Sequence, residues 1–154
     1  MARFVGLLAL AIALFACRTR SMPDTLFTEF NEQEMEAAIA RAKAEVDEFI
    51  VELSNPTGTH HSVKVPIRDG ETVEHFWMVD VVYRDGYFEG TIDNDPGLVR
   101  NVTRGQRWRA RKEEISDWMY LKDGKMYGNY TVRPLLGNLP PEEAKKLQEM
   151  FAKP

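Results

Sequence analysis

Apolar residues recur at the spacing of an α-helix in one stretch near the start of the chain, residues 31–53. At steps of three or four residues, this stretch has apolar side chains at Met35, Ile39, Ala42, Val46, Phe49 and Leu53. Charged residues fill the intervening positions, and Asn31 with Glu34 matches the capping box that begins many helices. We therefore predict one long amphipathic helix that ends at the sequence Ser54-Asn55-Pro56.

After this helix, the period of the apolar residues changes to two, which is typical of β-strands. Apolar and polar residues alternate over residues 63–67 and 73–83, and the pair Asp69-Gly70 lies between the two segments. A second Asp-Gly pair, at residues 85–86, leads into a further strand-like segment over residues 87–93. Because glycine accepts the positive φ angles of tight turns, both pairs predict hairpins.

The longest of these strands, over residues 73–83, is expected to have two distinct faces. Alternation predicts one face formed by Val73, His75, Trp77, Val79, Val81 and Tyr83, and an opposite face that includes Glu74, Phe76, Met78 and Asp80. We expect an irregular loop over residues 94–105 and a strand over 106–113, in which Arg107, Arg109 and Arg111 share a face. That basic row fits either a solvated strand face or a surface for acidic partners or anionic lipid headgroups.

The C-terminal part of the chain predicts a last hairpin and a closing helix. Strands over residues 115–121 and 126–132 flank the turn Asp123-Gly124, and the helix begins at residues 139–143, with prolines in its first turn. Its apolar side chains are Ala144, Leu147, Met150 and Phe151. A helix, five or six antiparallel strands and a second helix together predict an α+β fold. We expect the two helices to cover only one face of the sheet.

The first 17 residues have the composition of a bacterial export signal. Arg3 supplies a positive charge, residues 4–15 are all apolar, and the small Ala16 precedes the only cysteine of the chain, Cys17. The apolar run is too short to cross a bilayer, which takes about 20 apolar residues. Because residues 14–17 resemble the processing box of bacterial lipoproteins, we predict that Cys17 is lipidated after cleavage.

This interpretation divides the chain into a signal peptide at residues 1–16, a tether at residues 17–30 and one domain at residues 31–154. A lipid anchor on Cys17 implies a membrane partner and an exported protein, in the periplasm or at the outer membrane. Without lipidation, the same signal implies a secreted protein. Because Cys17 is the only cysteine, the domain contains no structural disulfide.

The charge balance excludes one class of partner. The chain has 20 Lys and Arg residues against 24 Asp and Glu residues, which gives a formal net charge of −4 at pH 7. General nucleic-acid binding needs a cationic surface, so we do not expect a nucleic acid as partner. The sequence contains no glycine-rich phosphate-binding motif, and we expect no cofactor.

Five short motifs occur in a fixed order along the domain. They are VKV at residues 63–65, EHFW at 74–77, GTIDNDP at 90–96, ISDWMY at 115–120 and GNYTVR at 128–133. Together they resemble the YegJ-like family, a bacterial domain of unknown function, over about residues 35–139. The resemblance implies a small α+β domain, sometimes exported, with no established activity.

The titratable residues allow an enzymatic hypothesis. His75, with Asp117 or Glu74, is the best set for acid–base chemistry in an envelope hydrolase, and Ser116 is a conceivable nucleophile beside His75. Each has a structural explanation as well: Asp117 can cap backbone amides before Trp118, and no Gly-x-Ser-x-Gly motif surrounds the serine. With only three histidines in the chain, we expect no metal site.

Aromatic residues of the predicted sheet suit binding better than catalysis. Trp118 and Tyr120 share one strand face, Tyr130 follows on the next strand, and Arg133 ends that strand. The rings would supply contact area and the arginine would bind an acidic group, with Asn94 added from the facing loop. The alternative is that the loop and the tether cover these side chains. We therefore favour a non-enzymatic binding or accessory protein of the cell envelope, with a protein partner at this aromatic face.

Overall fold

The computed structural model describes residues 30–152, in which six antiparallel strands form one sheet. The helices are α1 (Glu32–Ala44), α2 (Val46–Ser54), α3 (Pro141–Met150) and the 3-10 helices η1 (Lys112–Glu114) and η2 (Tyr130–Asn138). The strands are β1 (Thr59–Asp69), β2 (Thr72–Arg84), β3 (Tyr87–Ile92), β4 (Arg107–Arg111), β5 (Asp117–Lys122) and β6 (Lys125–Gly128). Their order across the sheet is β4-β3-β2-β1-β5-β6. The α+β class is confirmed, whereas the predicted signal peptide and Cys17 lie outside the described residues.

The predicted long N-terminal helix is two helices in the structure. Its start is confirmed, because the Oδ1 atom of Asn31 accepts hydrogen bonds from the backbone N–H groups of Gln33 at 3.0 Å and Glu34 at 3.3 Å. The first helix ends at Ala44, and Glu45, with φ −100° and ψ 5°, leads into α2. The break lets α1 pack against η2 while α2 packs against β2 and β5. None of the helices within residues 30–152 has the length and apolar character that crossing a membrane requires.

The three predicted Asp-Gly hairpins are present. The turns at residues 85–86 and 123–124 each place an Asp and a Gly at positive φ between paired strands. In the first hairpin, Asp69 pairs with Thr72, so the turn residues are Gly70, at φ 60°, and Glu71. Each turn therefore has a positive φ where a tight hairpin requires one.

A bulge in β2 contradicts the predicted alternation along that strand. The register with β3 shifts after Val79, and Asp80 has a φ of 52°. The extra residue reverses the direction of the side chains that follow. Val81 and Tyr83 consequently pack in a different apolar cluster from Trp77, so the prediction that all three share a face is wrong.

The sheet has an apolar cluster on each face. The first face, under α1, α2 and the loop between β3 and β4, contains Val63, Val65, Ile67, Phe76, Met78, Phe88 and Trp118. The second face, under η2 and α3, contains Trp77, Met119 and Met126, which pack with Val132, Leu147 and Phe151. The expectation that the two terminal helices cover only one face is therefore wrong.

The last predicted strand ends earlier than expected. β6 stops at Gly128, and the segment predicted to continue it to residue 132 begins η2 instead. Gly128, at φ 70°, lies so close to β5 that a Cβ there would be 2.1 Å from the carbonyl oxygen of Trp118. Asn129 follows at φ 50°. These two residues turn the chain away from the sheet edge and back over the second face.

Candidate functional site

A lysine and an aspartate lie opposite each other on the second face and form the centre of the candidate site. Lys64 of β1 pairs in register with Asp117 of β5. The lysine is 4% exposed and the aspartate 0%. Charged side chains are almost never buried so completely unless they are paired. The contacts around this pair therefore show whether it stabilises the fold or is available for chemistry.

The carboxylate of Asp117 binds the start of η2. One oxygen accepts hydrogen bonds from the backbone N–H groups of Trp118 at 2.9 Å and Tyr130 at 3.1 Å. The other accepts hydrogen bonds from the backbone N–H of Thr131 at 2.8 Å and from its hydroxyl at 2.7 Å. The structural explanation of Asp117 as a cap of backbone amides is confirmed, and most of those donors belong to η2.

Lys64 reaches the same carboxylate through Thr131. Its Nζ atom donates to the threonine hydroxyl oxygen at 3.0 Å and lies 5.5 Å from the centroid of the Trp77 ring. The hydroxyl thus joins the cation to the anion, and the ring face gives the ammonium a second favourable contact. Burial lowers the pKa of Lys64 and raises the pKa of Asp117, and the opposite charge of the partner counteracts each shift.

His75 and Ser116 lie beside this pair and contact each other. The Nδ1 atom of His75 is 2.8 Å from the Ser116 hydroxyl oxygen, and that hydroxyl donates to the backbone oxygen of Lys64 at 3.3 Å. Burial, together with the positive charge of Lys64, lowers the pKa of His75 to about 3. The imidazole is therefore neutral at pH 7. The histidine and serine considered for catalysis are neighbours, but in a buried setting.

The space at this centre is small. A cavity of about 20 Å³ is lined by Phe30, Met35, Ile39, Lys64, His75, Thr131 and Leu135. A cavity of this size accommodates about one water molecule. Two of the lining residues, Met35 and Ile39, belong to α1, which therefore forms part of the cavity wall.

Glu74, the other carboxylate considered as a partner of His75, faces the opposite side of β2. Its oxygens accept hydrogen bonds from the backbone N–H groups of Gly97 at 2.8 Å, Leu98 at 2.8 Å and Val99 at 3.1 Å. Adjacent residues of a strand point to opposite faces, so the structure does not bring Glu74 and His75 together. The carboxylate instead orders the loop between β3 and β4.

Two residues of the predicted contact surface lie in the core. Trp118 is 2% exposed, stacks on Phe49 and donates from its indole nitrogen to the backbone oxygen of Ala42 at 2.8 Å. Tyr130 is 6% exposed, and its hydroxyl donates to the carboxylate of Glu45. Both side chains attach the first helices to the sheet region, so in this arrangement neither offers surface to a partner.

The other three predicted contact residues lie in separate surroundings. The half-buried guanidinium of Arg133 is 5.1 Å from the centroid of the Tyr130 ring. Tyr120 is half-buried and stacks on neighbouring rings. Asn94 is buried, and its Oδ1 atom accepts a hydrogen bond from the backbone N–H of Trp77 at 2.9 Å. The structure therefore does not assemble these side chains into one exposed patch.

A second polar site, which the sequence pattern did not single out, lies at the C-terminal end of α2, around Glu52. The Glu52 carboxylate accepts hydrogen bonds from the backbone N–H groups of Thr57 and Gly58, both at 2.7 Å, and contacts the Nε2 atom of His61 at 3.0 Å. Burial opposes ionisation, but these bonds outweigh it and lower the pKa of Glu52 to about 2. Within residues 30–152, no three His, Cys, Asp or Glu side chains form a group suited to a metal ion.

A larger groove lies where β1 and β2 separate. Their pairing runs only as far as Val63 and Met78, beyond which β1 pairs with β5 and β2 with β3. The groove has a volume of about 650 Å³, and its walls include His60 and Asp80, both at positive φ. It also contains apolar side chains such as Leu53, so its lining suits binding.

Comparison with known proteins places the chain in a bacterial family. Residues 32–152 match the model of the DUF2314 family, described as an uncharacterized protein conserved in bacteria. The chain is 45% identical over 144 residues to the uncharacterized protein YegJ of Escherichia coli strain K12, which covers 92% of this chain and 94% of that protein. It is 36% identical over 85 residues to a putative ankyrin repeat protein of Neisseria meningitidis serogroup B, which covers 53% of this chain and 34% of that protein. No solved structure matches it significantly. The resemblance to YegJ-like proteins is confirmed, and the chain belongs to the DUF2314 family of bacterial proteins.

Proposed function

We propose that this protein is a non-enzymatic binding or accessory protein of the bacterial cell envelope, attached to the membrane by a lipid on Cys17. The observation that supports a non-enzymatic role is the state of the groups that an enzyme would need. His75 contacts Ser116, and Asp117 is the next residue in the chain, yet all three are buried, and His75 lines a cavity of only about 20 Å³. A cavity of this size accommodates about one water molecule and no larger substrate, so we infer that these groups stabilise the fold.

In this proposal, the buried centre has a structural role. Lys64, Asp117 and Thr131 connect β1, β5 and η2 through one set of hydrogen bonds. Such a pair adds little net stability compared with apolar side chains, but breaking it is costly because a buried charge loses its partner. The centre thus favours one position of η2 over the sheet.

Export and attachment to the membrane rest on the N-terminal sequence. The apolar run over residues 4–15 precedes the single cysteine of the chain, and Arg18 follows Cys17 where an acidic residue would favour retention at the inner membrane. We therefore propose the outer membrane as the site of attachment if the cell has two membranes. A secreted protein is the alternative if Cys17 carries no lipid.

The anchor is tested by the variant Cys17→Ser. We expect this change to move the protein from the membrane fraction to the soluble fraction and to abolish labelling by a radioactive fatty acid, because no thiol remains to carry the lipid. Ser21→Ala, which also lies after the apolar run, is the control and should fractionate as the parent does. Unchanged membrane fractionation of Cys17→Ser would contradict the lipid anchor, and a full-length chain with an intact leader in the cytosol would contradict export.

A hydrolase is the second candidate function, because His75 and Ser116 are 2.8 Å apart. An active serine of this kind would react with a fluorophosphonate probe, and the reaction would be lost in Ser116→Ala. We expect the parent protein to remain unlabelled at Ser116, with Ser54→Ala as the control for an exposed serine. Specific labelling of Ser116 would support the hydrolase and contradict the non-enzymatic proposal.

A further inference from the structure

One half of the second face remains accessible in the described structure. η2 and α3 pack near β5 and β6, whereas over β2, β3 and β4 the strand register aligns three rows of solvent-accessible side chains. The rows are Val79, Thr91 and Arg107; Val82, Glu89 and Arg109; and Arg84, Tyr87 and Arg111. None of these side chains is buried, and we call the set the open face.

The open face is cationic although the chain as a whole is acidic. It has four arginines and a single carboxylate, that of Glu89, whereas the chain has a formal net charge of −4. The adjoining segment, residues 100–112, contains six Lys and Arg residues and no Asp or Glu. Cations collected on one surface of an acidic protein indicate an anionic partner.

Most of these arginines are available to an external anion. Arg109 is engaged, since its Nε atom is 3.1 Å from the Glu89 carboxylate and its guanidinium lies 3.7 Å from the centroid of the Tyr87 ring. None of the ion pairs of the described residues includes the other three arginines of the open face. Val82, which is 39% exposed, and Tyr87 add an apolar component between them.

We propose that the open face docks on anionic phospholipid headgroups of the membrane to which a lipid on Cys17 attaches the protein, an inference that rests on the proposed anchor. The three rows span adjacent strands, so they offer cations over a surface and not in a pocket, as contact with a bilayer requires. The anchor keeps the face close to the headgroups, so a modest attraction for each arginine is sufficient. Tyr87 and Val82 would then lie at the headgroup level, where tyrosine is enriched.

A second copy of the chain fits the open face less well than a membrane does. β4 is an edge strand of the sheet, and antiparallel pairing of two such strands would bring the arginine rows of both copies together. Like charges that face each other across strands are destabilising, and charged edge strands resist edge-to-edge association. An acidic polypeptide is the other anionic partner, and the experiment below distinguishes it from lipid.

The test uses a fluorophore whose emission depends on solvent polarity. The full lipidated chain with Val82→Cys is labelled with NBD and reconstituted into vesicles of phosphatidylcholine, with or without phosphatidylglycerol; the lipid on Cys17 leaves one free thiol. We expect emission to shift to shorter wavelength and reduction by dithionite to slow only with phosphatidylglycerol, and both effects to vanish at high salt. Val51→Cys on α2, where Val51 is 69% exposed, is the matched control and should not respond.

Charge variants identify the residues responsible. Arg107→Gln combined with Arg111→Gln should lower the ratio of docked to undocked protein about 25-fold, because each cation near an anionic surface contributes a factor of about five. Lys145→Gln combined with Lys146→Gln, at exposed positions of α3, removes the same charge and should leave the ratio unchanged.

Three outcomes would overturn the inference. The first is a Val82 label that stays in water in vesicles containing phosphatidylglycerol, and the second is an equal response at Val51. The third is release of the open face from the vesicles by soluble polyglutamate, added at the same concentration of negative charge as the phosphatidylglycerol. That result would mean that the face binds acidic polypeptides. A chain without lipid on Cys17 would overturn the proposed function itself, whereas a lipidated chain with an undocked open face would overturn only this inference.

Discussion

Charged side chains occupy both halves of the second sheet face and have opposite consequences in each. In the covered half, Lys64 and Asp117 are buried and their hydrogen bonds are internal. In the open half, Arg84, Arg107 and Arg111 are exposed and form no ion pair within residues 30–152. Charged side chains thus stabilise the fold in the half that a helix covers. In the half that none of the described helices covers, they are available to a partner.

The difference between the halves originates in η2. Asn129 turns the chain over the sheet, and Asp117 binds the backbone N–H groups of Tyr130 and Thr131 as the helix begins. The carboxylate of Asp117, which belongs to this half of the face, therefore helps to hold η2 over it. The open half has no equivalent carboxylate, since the single acid in its rows, Glu89, pairs with an arginine of the neighbouring strand.

Removal of the Asp117 carboxylate should have the largest effect on this contrast. Asp117→Ala leaves Lys64 buried without a counter-charge and leaves the first residues of η2 without their acceptor, so we expect a loss of about 5 kcal/mol in the free energy of unfolding. Urea denaturation near neutral pH measures the loss. Asp95→Ala, in the exposed loop, is the control and should change stability by less than about 0.5 kcal/mol. A loss as small as that of the control would contradict the structural role of the buried centre.

Trp118→Ala tests whether the aromatic residues belong to the core or to a contact surface. The indole is buried against Phe49 and donates a hydrogen bond to the backbone oxygen of Ala42. We therefore expect the free energy of unfolding, measured by heat or urea, to fall by about 4 kcal/mol. Trp108→Ala, at a half-buried position of β4, should lower the free energy of unfolding by less than Trp118→Ala does. A Trp118 variant as stable as the parent that no longer binds a partner would restore the contact surface predicted from the sequence.

Acid should weaken the covered half in a defined pH range. The pKa of His75 is about 3 in the folded protein, against an ordinary value of 6.5. Between these values the unfolded chain binds one more proton, so the free energy of unfolding falls as pH falls, by about 1.4 kcal/mol per pH unit. Comparing urea denaturation of the parent and His75→Gln across this range should show a shallower slope for the variant. Equal slopes would contradict a lowered pKa of His75 in the folded protein.

Changes on the open face should have the smallest effect on stability. Arg107→Ala and Arg111→Ala remove exposed side chains without an ion pair among the described residues, so each should change the free energy of unfolding by less than about 0.5 kcal/mol. Differential scanning calorimetry is sufficient to detect a larger change. A loss above about 1 kcal/mol would mean that these arginines support the fold, and the contrast between the two halves would fail.

Local chemistry explains which elements the sequence predicts. The hairpins were predictable because an Asp-Gly pair determines a turn within four residues. The cap at Asn31 was predictable because it involves only the first turn of α1. The break between α1 and α2 at Glu45 was not predictable from local sequence. The Glu45 carboxylate accepts a hydrogen bond from Tyr130, which is 85 residues away in the chain. The bulge at Asp80 also lacks a local signal, because aspartate rarely adopts a positive φ within a strand.

The candidate site was predictable only in part for the same reason. The cap of backbone amides by Asp117 was predictable because it includes the next residue, Trp118. The contact between Ser116 and His75 joins residues 41 positions apart and was only a hypothesis. Lys64 was missed because a lysine between two valines normally marks a solvated strand face. Its burial depends on Thr131, which lies in η2 although the sequence pattern predicts a strand there. A polar residue within an otherwise apolar motif is the one signal that could have identified it.

The hydrogen bond between Lys64 and Thr131 also has a consequence for how long the native state lasts. These residues are 67 positions apart, so the contact closes a long loop and cannot form before β1, β5 and the turn after β6 have met. Interactions that form after the rate-limiting step of folding act mainly on the unfolding rate. We therefore expect the lysine and threonine to slow the opening of the molecule more than they speed its assembly.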